Sequence, residues 1–448
     1  MSIQIYSIIG LVLIFLLATL RSVNMGAVAF LGTFLIGTFI FDESVDDLFS
    51  GFPGDLFVVL VGVTLLFAIA KANGTVDWLI QAGVRAVRGR IALIPWVMFL
   101  VTSLLTMVGA VVPGAVAIMA PIGLNFATKY RINPMLMGLL IINGASAGGF
   151  SPISIFGSIT NGVVERSGLP GNPALLWISS FLFNAVLSIV VFFLFGGKQL
   201  LRRRISTEPG APSGGDGRDD TPDGDPVSGP SGGTATSTKQ RTTSTTEVTT
   251  LNPQRVITLA GLIVLAVGAL ALEFDVGLLA LSIATVICLL SPRDTKGCVA
   301  EVAWPTVLLI CGVVTYVGLM ERVGTIEFLG DSVAGIGVPL LAAFVICLIG
   351  GAVSAFASTT GILGALIPLA VPFLLTGQVG AVGMIIALAL SSSVVDSSPF
   401  STSGALVVAS APEQVRDTVF RKLMIWGMSM IVVAPVAACL IFVIPGWL

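Results

Sequence analysis

The sequence SSSVVDSSPFSTSG, residues 391–404, interrupts an otherwise apolar stretch with hydroxyl groups, an acid, a proline and a glycine. It follows SAFASTTGILGALIPLAVPFLL, residues 354–375, in which the tetrapeptide STTG at 358–361 separates two apolar runs. Backbone that leaves a helix inside a membrane is tolerated only where it is buried in protein or lines a wet cavity. Two such interruptions close together therefore predict a binding site.

A similar pair occurs in the first half, as AVVPGAVAIMAPIGL at 110–124 and NGASAGGFSPISIFGSITN at 143–161. This repetition predicts two copies of one unit, residues 1–197 and 255–448, each with its own broken site. Residues 198–254 lie between them and are rich in Gly, Ser, Thr, Pro and Asp, a composition that predicts a disordered linker on the cytoplasmic side. Five matches share an offset of 247 residues: Gly114 with Gly361, Pro121 with Pro368, Ser151 with Ser398, Pro152 with Pro399, and Gly157 with Gly404.

The composition predicts a protein that crosses the membrane several times. Hydrophobic residues make up 55% of the chain and charged residues only 10%, and several apolar runs exceed the roughly 18 residues that mark a spanning helix. The chain has no histidine, and its five cysteines form no CxxC motif, so we expect neither a metal site nor a disulfide framework. A net charge of −2 gives no indication of a nucleic-acid partner. We expect a multi-pass protein of the inner, or cytoplasmic, cell membrane that contacts lipid.

The stretch 91–127 is too long for one helix and breaks between Gly109 and Gly114. It can form two full spans or a re-entrant hairpin that enters and leaves by the same face. With a hairpin in each half and ten true spans, only Arg166 and Arg322 lie outside, and the other 20 of the 22 basic residues are cytoplasmic or at that boundary. Because this agrees with the positive-inside rule, we favour the hairpins.

Each half is then five transmembrane helices plus one re-entrant hairpin. Because five is odd, the two copies insert with opposite orientations. The predicted fold is all-α, with two inverted repeats and discontinuous helices at the site, an architecture typical of secondary transporters. A connector at 71–90 has apolar residues at helical spacing and is predicted to lie along the membrane face. In the second half we expect spans at 256–272, 276–290, 304–320, 379–411 and 423–444, with the hairpin at 337–375.

The predicted site has no lysine or arginine near the middle of the membrane, so no guanidinium group can bind a carboxylate there. An anion would depend on hydroxyl groups, hairpin-tip N–H groups and helix N-termini. Such neutral donors balance two negative charges poorly, so a co-bound cation is expected. Asp396 is the only acid predicted deep in a span, and an intramembrane acid is functional by default. It can bind sodium, carry a proton or fix the unwound segment, and the sequence does not separate these roles.

These motifs resemble the divalent-anion/sodium symporter family, whose hairpin Ser-Asn-Thr is paired with an unwound Thr-Pro-Pro-Asn helix. The chain is most similar to malonate/dicarboxylate carriers of the MatC type. The segment 358–360 matches the second Ser-Asn-Thr with threonine in place of asparagine, whereas 111–113 reads Val-Val-Pro where the first would stand. The resemblance implies a dimeric, elevator-type carrier of dicarboxylates such as malonate or C4 acids, coupled to sodium. The predicted substrate-binding residues are Pro113, Gly114, Ser158, Asn161, Ser358, Thr359, Thr360, Thr402 and Ser403. The predicted ion ligands are Ser151, Ser358, Thr359, Asp396 and Ser398.

Two other classes of function remain open. A cation/proton antiporter in a related inverted-repeat fold would also use one buried acid with broken helices, but would bind no organic substrate. A membrane enzyme is disfavoured, because the sequence has no histidine, no metal-ligand cluster and no folded domain outside the membrane.

Overall fold

The computed structural model describes residues 4–21, 23–86, 90–201, 252–272, 274–293, 295–325, 328, 338–355, 359–375 and 377–445. Within these ranges the chain is helical and contains no β-strand. The all-helical class is therefore confirmed. Most of the predicted linker, and Ser358 at the second hairpin tip, lie outside the described residues.

The first half begins its helices at side chains that can accept a backbone N–H. Asn24, Asn133 and Asn172 each accept such a bond at a helix start, as asparagine at this position commonly does. Helix α3 was not predicted; it forms in the acidic loop because Ser44 and Asp47 make a reciprocal capping box. The helices are α1 Gln4–Arg21, α2 Met25–Phe39, α3 Val45–Ser50, α4 Gly54–Ala72, α5 Thr75–Ala86, α6 Ile94–Met107, α7 Val112–Lys129, α8 Pro134–Gly149, α9 Ile155–Arg166, α10 Pro173–Leu194 and α11 Gly197–Leu201.

The second half follows the same order. Its last long helix starts at Glu413, earlier than the predicted 423, because its first turns carry polar residues that an apolar window does not detect. The helices are α12 Pro253–Ala271, α13 Val276–Leu290, α14 Trp304–Arg322, α15 Pro339–Ser354, α16 Thr359–Leu375, α17 Ala381–Val394, α18 Thr402–Ser410 and α19 Glu413–Ala438.

Two close helix pairs join the halves. Helix α4 packs on α13, and α2 packs on α14, so equivalent helices exchange partners between the halves. Glycines allow both approaches: a Cβ on Gly62 would lie 2.7 Å from the carbonyl oxygen of Gly277, and one on Gly312 would lie 2.1 Å from that of Gly26. Small residues at such contacts let membrane helices pack backbone to backbone.

Five stretches of the described chain are long and apolar enough to cross a membrane: α4, α10, α14, the α17–α18 stretch and 413–443. Their number and composition confirm a multi-pass membrane protein. The α17–α18 stretch is mostly buried inside the protein, whereas α10 and 413–443 leave most of their apolar surface outward. The helix that carries the predicted site therefore lies at the centre of the protein.

Candidate functional site

The two helix breaks are stabilised by the same side-chain interactions. At the first break the Ser154 hydroxyl lies within hydrogen-bond distance of the carbonyl oxygens of Gly149 and Ser151, and it accepts the N–H of Gly157. At the second break Ser401 makes the equivalent contacts with Asp396, Ser398 and Gly404. Each serine is the N-cap of the short helix that follows, α9 or α18. All four positions of the motif repeat at the offset of 247 residues.

A glycine is required at the same place in both breaks. A Cβ on Gly157 would lie 1.9 Å from the carbonyl oxygen of Ser151, and a Cβ on Gly404 would lie 1.9 Å from that of Ser398. Neither approach is possible for a residue with a side chain, because the oxygen belongs to the backbone. The unwound segment therefore folds back onto the first turn of the following helix.

The two breaks carry different side chains at equivalent positions. Asp396 is buried, and its carboxylate accepts a hydrogen bond from the Ser403 hydroxyl at 2.7 Å. The equivalent positions in the first half are Gly149 and Phe156. There a Cβ on Gly149 would meet Val112 at 3.0 Å and the Phe156 ring at 3.3 Å. In the second break this position holds a carboxylate. In the first break the equivalent position is surrounded by apolar groups.

The hairpin tips show the same contrast. Thr359 is buried at the start of α16, and its hydroxyl lies 2.9 Å from that of Ser354 at the end of α15. The Ser354 hydroxyl also donates to the carbonyl oxygen of Ser392 in the broken helix, at 2.6 Å. In the first half the counterpart of Thr359 is Val112. The second tip is therefore joined to its broken helix by hydroxyl groups, and the first by apolar contact.

The halves also meet at the site. The outgoing arm of the first hairpin, α7, packs on α18, and the outgoing arm of the second, α16, packs on α9. Each hairpin therefore touches its own break at the tip and the short helix of the other half along its arm. The predicted site segments of both halves form one region.

The other predicted site residues divide by environment. Thr360, Ser151 and Ser398 are buried, and Ser398 accepts the N–H of Phe400 at 3.3 Å. Ser158 is buried and donates to the carbonyl oxygen of Pro152 at 3.3 Å. The remaining four are more open: Pro113, Gly114 and Asn161 are half-buried, and Thr402 is exposed at the start of α18.

The described site contains one buried acid and no buried base. Asp396 is the only buried carboxylate of the described chain, and Arg255 is its only buried basic residue. Arg255 donates to the carbonyl oxygen of Asn73, which lies between α4 and α5. The described residues contain no group of three or more metal-ligating His, Cys, Asp or Glu side chains. The oxygens near the second break, one carboxylate with hydroxyls and carbonyls, suit a hard monovalent cation or a proton rather than a transition metal.

Sequence reasoning missed three residues of this region, Ser154, Ser401 and Ser354. The first two could have been found from the sequence, because Ser-x-x-Gly repeats at the shared offset and serine is a favoured N-cap. Ser354 carries no such signal, because its counterpart is Met107. Ser354 contacts Thr359 and Ser392 only because the hairpin folds back on itself and packs against the broken helix.

No protein with a curated description matches the chain. The model of one family, described as the dicarboxylate carrier protein MatC N-terminus, matches residues 1–149. The match covers one third of the chain and ends at the residue where the first break begins. Over these residues, the first 149 of the chain, the resemblance to MatC-type dicarboxylate carriers is confirmed.

Proposed function

We propose that the protein is a secondary transporter of small dicarboxylates that couples substrate movement to one cation bound at the second helix break. The observation that carries this proposal is the contrast between two breaks of the same backbone form, of which only the second holds a carboxylate. A purely structural motif would need no acid, since Ser154 and Gly157 stabilise the first break without one. The cost of a buried charge supports a functional role for Asp396.

The substrate is proposed to bind where the hairpin tips meet the broken helices. The short helices and the outgoing hairpin arms begin there, and the first N–H groups of a helix have no partner within it. Such N-termini favour anions. Since the only buried basic residue of the described chain lies elsewhere, the cation at Asp396 would supply the positive charge that a dicarboxylate needs. This arrangement makes cation and substrate binding mutually dependent.

An inverted repeat is proposed from the exchanged helix pairs, α4 with α13 and α2 with α14. A two-fold axis in the membrane plane would relate them, as in other transporters. Single cysteines placed at Ser2 and Ser237, in a background free of the five native cysteines, test this. They should react with an impermeant thiol reagent from opposite sides of the membrane. Labelling from one side would contradict the inverted orientation.

An elevator movement is proposed in which the closely packed α2–α14 and α4–α13 pairs move as one body, and the hairpins with the broken helices move as another. An ion pair between Arg166 on α9 and Asp55 on α4, with Nε 3.1 Å from Oδ2, crosses between them. A cysteine pair at these positions, joined by a short bifunctional thiol reagent, should stop transport while substrate still binds.

A second ion pair provides the matched control. Nη2 of Arg322 on α14 lies 2.9 Å from Oε2 of Glu43, which follows α2. Both residues belong to the proposed body that contains α2 and α14. Cross-linking the corresponding cysteines should leave transport intact. Arg166 and Arg322 line the same cavity of about 320 Å³, so both pairs test one region of the protein. Transport that survives a complete link at Asp55 and Arg166 would refute the elevator movement.

Uptake into proteoliposomes tests the function itself. Malonate, succinate, malate and citrate should be compared with and without a sodium gradient, and again with a proton gradient. A cation/proton antiporter is the second candidate, because Asp396 is the only buried acid among the described residues and lies in a broken helix. Dicarboxylates would then cause no thermal shift in the purified protein and would not enter the vesicles. That result would favour the antiporter over the carrier.

A further inference from the structure

A basic cavity of about 700 Å³ lies at the end of α10, away from the proposed substrate site. Its polar lining comes from Arg131, Asn133, Gln199 and Lys422, and it contains no carboxylate. Lys422 has no salt-bridge partner within the described chain. Asn133 uses its Oδ1 as the cap of α8, which leaves its NH₂ group as a donor. The lining therefore offers cations and amide donors, which suit a phosphate group.

The backbone at Arg131 adds an independent observation. Its φ angle is +51°, in the left-handed region, where a residue with a side chain is uncommon and glycine is favoured. The position follows the end of α7, where the N–H of Ile132 returns to the carbonyl oxygen of Ala127 at 2.8 Å. Helices commonly end in this way with glycine. The chain thus places an arginine at the cavity where the backbone alone would favour glycine.

The basic cavity has lining residues on the long helices α10 and α19. An apolar groove begins close to this cavity and runs along the same two helices. Its volume is about 510 Å³, and it lies between α10 and α19 with Val394 of α17 in its lining. On α10 it extends from Val190 to Leu175, about 22 Å at 1.5 Å per residue. Leu194, which lines the basic cavity, is 65% exposed on the outward surface of α10. The two cavities together are amphiphilic.

An aromatic pair, Phe195 and Trp426, lies between the basic cavity and the apolar groove. The ring of Trp426 is 6.1 Å from that of Phe195, which lines the basic cavity. Trp426 is one helical turn from Lys422 and one turn from Met430, which lines the groove. Tryptophan is enriched at the depth of the lipid headgroups. This places the basic cavity at the membrane surface and the groove inside the hydrocarbon layer.

We propose that the two cavities form one binding site for an anionic phospholipid, with the phosphate headgroup beside Arg131 and Lys422 and an acyl chain in the α10–α19 groove. Basic pockets between membrane helices on the cytoplasmic side bind such headgroups, and sequence analysis predicts the cytoplasmic side for both residues. A free phosphate or dicarboxylate would satisfy the cavity but would leave the groove without an occupant. The site does not depend on the proposed transport activity.

Native mass spectrometry of the purified full chain tests the proposal with three probes: phosphatidylglycerol, phosphatidylcholine and inorganic phosphate. Phosphatidylglycerol should remain bound at detergent concentrations that strip phosphatidylcholine. The Arg131→Gly/Lys422→Gln double variant should bind it about 30-fold more weakly, the effect of two lost cations at about 1 kcal/mol each. The variant should fold, because glycine favours the backbone conformation at 131. Arg421→Gln is the control, since Arg421 adjoins Lys422 but does not line the cavity.

The three possible outcomes separate the explanations. Loss of phosphatidylglycerol in the double variant, with retention in the control, supports the site. Equal binding by the wild type and the double variant would overturn it. Displacement of phosphatidylglycerol by millimolar inorganic phosphate would show that the cavity takes a free anion, and would overturn the lipid assignment.

Discussion

Asp396→Asn separates a coupling role of this residue from a structural one. The substitution keeps the size of the side chain and an oxygen that can accept the 2.7 Å hydrogen bond from Ser403. It removes the negative charge from a buried position. The two roles predict opposite changes in stability and in cation dependence, so one variant distinguishes them.

The structure sets the size of the expected effects. A hydrogen bond to a charged acceptor contributes about 1.5–3 kcal/mol, and one between neutral groups about 0.5–1.5 kcal/mol. Weakening the Ser403 bond therefore costs about 1–1.5 kcal/mol. Burial of an unpaired carboxylate costs several kcal/mol, and no buried base of the described chain lies beside it. Removing the charge should thus leave the melting temperature unchanged or raised. The cation-dependent gain in substrate affinity, typically about 5- to 150-fold, should disappear.

The assay measures melting temperature and substrate affinity across a sodium series at two pH values. Ser403→Ala is the matched control, because it removes the hydrogen bond and keeps the charge. It should lower stability by about 1.5–3 kcal/mol and retain the cation dependence. An Asp396→Asn protein that is destabilised, yet whose affinity still rises with sodium or falling pH as in the wild type, would refute the coupling role.

Two further predictions concern the hairpin tips and the helix breaks. Replacing both Thr359 and Thr360 by valine should preserve folding and weaken substrate binding about 5- to 30-fold, the effect of one or two lost hydrogen bonds at about 1 kcal/mol each; unchanged affinity in a binding titration would mean that these threonines only pack. Gly404→Ala should prevent normal folding, because its Cβ would lie 1.9 Å from the Ser398 carbonyl oxygen, whereas Gly114→Ala should fold, because its nearest neighbour would be 3.9 Å away. Size-exclusion profiles and melting curves measure both, and equal tolerance of the two alanines would contradict the close approach at 404.

Much of the fold could be predicted because apolar length and repetition are local signals. The span at 276–290 agrees with α13 at both ends. The break predicted between Gly109 and Gly114 overlaps the non-helical residues 108–111, although α7 already begins at Val112. In the second half, Thr359–Gly361 of the predicted break form the first turn of α16. The error at the start of α19 has a local cause as well, since its first turns are polar. The exchange of helix partners between the halves could not be predicted in this way. It depends on Gly26 and Gly62 meeting glycines of the other half, and contacts so distant in sequence leave no periodic pattern.

The sequence was enough to predict where in the chain the site lies. It was not enough to predict most of the contacts between the site residues. Asp396 could be singled out because an acid in an apolar stretch is conspicuous, and its burial agrees with that reading. The hydrogen bond between Asp396 and Ser403 could not be predicted. The two residues are seven positions apart, and it is the unwound turn between them that brings their side chains together. Thr402 was chosen by its resemblance to a family motif, yet the backbone turns it outward and its neighbour inward.

The difference between the two breaks fits the proposed coupling, in which one acid acts where two would interfere. Both breaks have the same serine cap and the same glycine contact, so the unwound backbone does not need a charge to be stable. If the first break also held a carboxylate in place of Gly149, two buried negative charges would face the proposed dicarboxylate, and no buried arginine of the described chain lies beside them. Like charges at close range in a low dielectric repel strongly. The apolar groups Val112 and Phe156 avoid this repulsion, and they leave Asp396 as the one buried carboxylate of the described chain at which the proposed cation could offset the charge of the proposed substrate.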